Sequence, residues 1–67
     1  MKKKELANLA QRIAKAEQTI ENSSNLDEVQ RAKNEIMLLT RNVKNLDDMM
    51  AIDEMVLKIL ESQNKGE

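Results

Sequence analysis

From Asn25 to about Leu60 the apolar residues fall on one stripe: Val29, Ala32, Ile36, Leu39, Val43, Leu46 and Met50, in steps of three and four. That period belongs to a helix with one side packed against other helices. Beyond Leu46 the stripe divides. A second track runs through Met49, Ile52, Val56 and Ile59, and Asp53 stands where the first track would continue. Upstream, Leu6, Leu9, Ile13, Ala16 and Ile20 repeat at the same spacing, with Ala7, Ala10 and Ala14 beside them. This predicts a first helix over about residues 3–22. Its alanine-lined face lets a neighbour approach closely, which favours tight antiparallel packing.

Asn22-Ser23-Ser24-Asn25 is a turn at residues 22–25, because these side chains hydrogen-bond their own backbone and favour caps over helix interiors. Asn25 suits an N-cap, and Glu28, three residues on, completes a capping-box-like pair. Asp27 and Glu28 also complement the dipole of the helix they begin. So short a connection makes the flanking helices antiparallel neighbours.

Twenty residues later the start is echoed: Asn25-Leu26-Asp27-Glu28-Val29 recurs as Asn45-Leu46-Asp47-Asp48-Met49. The echo suggests a second break at 44–47 and a compact three-helix bundle. Against it, no Gly or Pro stands between Leu39 and Met50, and Val43 and Leu46 carry the heptad across the proposed break. The uninterrupted heptad favours one long helix over about 26–62, hence a helical hairpin. At ~1.5 Å per residue that helix is roughly 55 Å long against roughly 30 Å for the first. Its second half would stay bare in a monomer, so the hairpin is expected to dimerise into a bundle or to bind a partner. Residues 63–67, with Gly66 as a stop signal, read as a frayed tail.

Composition narrows the chemistry. At 67 residues the chain forms one small helical domain, 1–67, without Cys, His, Phe, Tyr or Trp. There is no disulfide framework, no imidazole base or zinc ligand, and no aromatic platform for bases. Charge is uneven along the chain. Residues 1–16 carry five basic groups against Glu5, a balance of +4, while residues 45–67 carry six acids against Lys58 and Lys65, a balance of −4. A basic front and an acidic back suggest that the ends meet, within a chain or between chains. No apolar run is long enough for a membrane span, and the residues after Lys2-Lys3-Lys4 are too polar for a signal segment, so the expected location is cytoplasmic.

Catalysis has no support in the residues. The acids after Asn45 come in adjacent pairs, Asp47-Asp48 and Asp53-Glu54, which point to different sides of a helix. Ser23, Ser24 and Ser62 lack a partner base. The expectation is a non-enzymatic protein with no cofactor and no bound metal.

The methionines point to binding. Met37, Met49, Met50 and Met55 gather around the division of the stripe, and unbranched, polarisable Met suits surfaces that adapt to a partner. Helix-in-groove recognition uses anchors at i, i+3, i+4 and i+7. Met49, Ile52, Met55, Val56, Ile59 and Leu60 are therefore the expected partner-binding residues, for a basic amphipathic helix of another protein or for a second copy in a homodimer. The alternative is a small nucleic-acid-binding regulator that uses Lys2, Lys3, Lys4, Arg12 and Lys15 as a basic surface. The acidic balance and lack of aromatics disfavour it. In plan and length, the helix–short turn–helix layout resembles the hairpin chaperones of type III secretion needle subunits. It equally resembles the hairpin repressor of primer that dimerises into a four-helix bundle. Both likenesses are architectural and carry no residues across.

Overall fold

The computed structural model describes residues 2–64 as three helices: α1 (Lys3–Asn22), α2 (Leu26–Arg41) and α3 (Leu46–Asn64). The first helix spans the expected residues, and the turn expected at 22–25 is confined to 23–25 because Asn22 closes α1. The long second helix does not form. The chain breaks between Arg41 and Leu46 and forms a three-helix bundle in place of the hairpin. Helix α3 continues through Gln63 and Asn64, so the expected tail is helical there, and 65–67 lie outside the described residues.

Both connections use the same chemistry. Asn25 Oδ1 accepts the backbone N–H of Asp27 at 2.9 Å and that of Glu28 at 3.4 Å, and Asn45 Oδ1 accepts that of Asp47 at 2.8 Å. The main-chain oxygens follow suit: Val29 N–H donates to Asn25 O and Met49 N–H to Asn45 O, each at 3.1 Å. Each cap satisfies donors that a helix start otherwise leaves unpaired. The reciprocal bond at the first cap differs from a capping box. Glu28 Oε2 accepts the Ser23 hydroxyl at 2.6 Å, and Ser23 Oγ in turn accepts the Asn25 N–H at 3.1 Å. Ser23 thus relays the carboxylate to the orphan donor.

The end of α2 explains why the heptad misleads. The Thr40 hydroxyl donates to the carbonyl oxygens of Ile36 at 2.9 Å and Met37 at 3.2 Å, a side-chain competition that weakens a helix locally. Val43 N–H then closes a tight turn on Thr40 O at 3.1 Å. Val43 is buried although it belongs to the connection, where it plugs the core from the end. Leu46, its neighbour on the presumed seam, is 73% exposed. The heptad therefore joined a core residue in a loop to a surface residue on the next helix.

Helix α1 is the centre of the bundle. It packs against both α2 and α3, which touch each other only slightly. Asn42 lies beside Glu5, Asn8 and Leu9, so the end of α2 meets the start of α1 and the two run antiparallel. Ala7 and Ala10 border Met55 and Ile59, whereas Ala14 and Gln18 border Ile59 and Gln63. Later residues of α1 thus meet later residues of α3. The helix that approaches the alanine face is parallel to α1, in place of the antiparallel neighbour expected there.

The core is wholly apolar. Leu6, Ala10, Ile13, Ala14, Val43, Ile52 and Val56 form it, and no polar or charged side chain is buried among the described residues. Ile36 and Leu39, expected inside, are half-buried against it. Ala10 is 0% exposed and Ile52 1%, among the most fully buried residues of the core.

Candidate interaction surface

Helix α3 carries two apolar rows, and the fold separates them. The inner row is Met49, Ile52, Val56 and Ile59. Ile52 and Val56 belong to the buried core, and Met49, Met55, Ile59 and Leu60 are half-buried against it. The six residues expected to hold a partner helix are therefore the ones with which α3 covers α1, the chain's own first helix. The physical reason is the break: once the chain turns at 42–45, the inner row no longer hangs beyond the end of α1 but lies along it.

The outer row is Leu46, Met50, Asp53 and Leu57, turned about 100° from the inner one at 3.6 residues per turn. Leu46, Met50 and Leu57 are 73%, 61% and 59% exposed. Leu60 borders both rows. Asp53, Glu54, Asp47 and Glu61 are exposed around them, with Lys58 the one cation among the described residues of α3. This is the continuation of the first sequence track past Asp53, and the carboxylate marks it as a surface row. Helix α2 has its own exposed apolar residues in Leu26, Met37 and Leu38.

The basic residues of α1 are all exposed but do not converge. Arg12 shares a cleft at the α1–α2 junction with Glu5, Asn8, Leu9 and Asn42. Lys4 and Lys15 share one side of the helix, eleven residues and roughly 16 Å apart at 1.5 Å per residue. Lys2 occupies the N-cap position of α1 without a side-chain cap bond, and Lys3 begins the helix. Glu5 interrupts the set.

No family model, curated protein or solved structure matches the chain. The resemblance to hairpin chaperones and to the hairpin repressor of primer rested on two helices, and the third helix removes its basis. Among the described residues no group of three or more His, Cys, Asp or Glu side chains is placed to hold a metal ion. No described helix is long and apolar enough to cross a membrane. What the geometry offers is surface: an exposed apolar row on an acidic helix whose inner row is packed against the core.

Proposed function

We propose that the chain is a small helical protein–protein interaction module, an adaptor, chaperone or inhibitor that acts by binding and not by catalysis. The observation that carries this reading is the exposed row Leu46, Met50 and Leu57 on α3. Large apolar side chains aligned along a helix and rimmed by charge mark a surface that another helix covers. The acidic rim favours a partner helix with basic residues beside its apolar face, or a second copy of this chain. The inner row supports the outer one by fixing α3 on α1, so the docking helix is presented in a defined orientation.

The test is recovery of partners from the native source by the wild-type chain and by a Met50→Ser, Leu57→Ser variant. Both positions are exposed, so the variant keeps its helical content. Loss of a specific partner on substitution supports the reading. Equal recovery by the folded variant removes the outer row as the binding surface.

A further inference from the structure

We infer that the outer row of α3 is covered by α2 of a second copy of this chain, in a reciprocal twofold dimer. This rests on the reading of α3 as an interaction helix and adds the identity of the partner.

The twenty-residue echo extends past the caps into the faces of the helices. Val29, Ala32, Ile36 and Leu39 of α2 correspond to Met49, Ile52, Val56 and Ile59 of α3. In both helices this set lies against α1, buried or half-buried. The same offset relates the outer positions: Leu26 to Leu46 and Met37 to Leu57, all exposed. Of the large exposed apolar residues described, only Leu38 lies off these two rows.

At the charged positions of the rows the sign inverts. Lys33 of α2 corresponds to Asp53 of α3, and Arg41 corresponds to Glu61, again twenty residues on, and all four are exposed. Pairing α3 with α3 would bring carboxylates together, and pairing α2 with α2 would do the same with cations. Only α2 against α3 of the other copy sets cation against carboxylate: in antiparallel pairing Lys33 meets Glu61 and Arg41 meets Asp53, with Met37 against Leu57 between them.

The fold permits both pairings at once. Helices α2 and α3 run in opposite directions on two flanks of α1, and each outer row is turned by the same angle from its α1-facing side. Equal rotation in opposed helices brings both rows out on one side of the molecule. A twofold axis parallel to α1 then lays α2 on the second copy's α3, antiparallel, and α3 on its α2. Such an interface closes on itself and stops at two copies.

Charge exchange tests it by sedimentation across a concentration series. One variant carries Lys33→Glu and Arg41→Glu, the other Asp53→Lys and Glu61→Lys. All four sites are exposed, and circular dichroism verifies that helicity is kept. The wild type is expected to dimerise, more weakly as salt rises. Each variant alone is expected to self-associate at least about tenfold more weakly, because like charges then face each other in both pairings. An equimolar mixture restores the dimer, since each acidic row again meets a basic one. The inference is overturned if either variant self-associates as tightly as the wild type, or if the mixture stays monomeric. It is equally overturned if the wild type is monomeric throughout. A monomer whose capture of a foreign partner still depends on Met50 and Leu57 overturns the dimer and leaves the module reading standing. A monomer without that dependence removes both.

Discussion

Asn25 and Asn45 play the same part twenty residues apart: each side-chain oxygen accepts the backbone N–H two residues ahead, Asp27's at 2.9 Å and Asp47's at 2.8 Å. The pair makes the third helix a consequence of local chemistry. In the middle of a continuous helix, Asn45 would be a poor residue and alanine a better one. As a cap its side chain holds the Asp47 N–H, which alanine would leave without that acceptor. Asn45→Ala is therefore expected to lower stability by about 1 kcal/mol, and Asn25→Ala is expected to do the same. Thermal or urea unfolding checks it, and a rise in stability would argue for an unbroken helix.

The inner and outer rows of α3 should respond in opposite ways to truncation. Ile52, 1% exposed, is expected to cost about 2–5 kcal/mol as Ile52→Ala, a large share of a small domain's stability. Met50→Ala, on the exposed row, is expected to stay within about 0.5 kcal/mol. Equal effects in urea titrations would mean that the rows are not separated. The same contrast governs how binding is probed: Ile52→Asp with Val56→Asp buries two charges and unfolds the chain, and so cannot report on a partner surface.

Ala10 faces α3 beside Met55 and Ile59 and is fully buried. Ala10→Leu adds bulk with nowhere to go and is expected to cost about 1–3 kcal/mol. A neutral result in thermal melts would show the helices to be further apart than the packing requires.

Much of this was legible in the residues. Helix α1, the first turn and the Asn25 cap follow directly from apolar period and cap chemistry. The break was also written, in the echo at Asn45, but Val43 masked it. A loop residue that plugs the core at heptad spacing is indistinguishable in sequence from a helical seam. That error carried into the site. With a continuous helix, Met49 to Ile59 hang free, whereas with the break they lie on α1 and the row containing Asp53 faces solvent. The informative signal was the carboxylate itself, since a lone Asp in an apolar row marks the side that meets water. The Ser23 relay to Glu28 had no sequence signature beyond a serine in a turn.

The basic residues of α1 provide a further check. Lys4 and Lys15 are far apart, and Arg12 lies beside Glu5 in the α1–α2 cleft. Scattered cations with an acid among them hold few phosphates at once, so mixed DNA and RNA are expected to show no shift at physiological salt. A shift that persists there and vanishes when Lys2, Lys3 and Lys4 are neutralised would favour the nucleic-acid reading.

The chain turns back at 42–45, which lays one row of α3 against the core and leaves the other exposed. The most direct test is a distance between Arg31 and Lys58, both exposed, in a chain that has no cysteine of its own. Spin labels on Arg31→Cys and Lys58→Cys, diluted with unlabelled protein, report it by pulsed electron resonance. Helices that flank α1 at about 8–10 Å on either side place the pair below about 30 Å. A single helix through both positions would hold them about 40 Å apart at 1.5 Å per residue, and a distribution centred there would contradict the account.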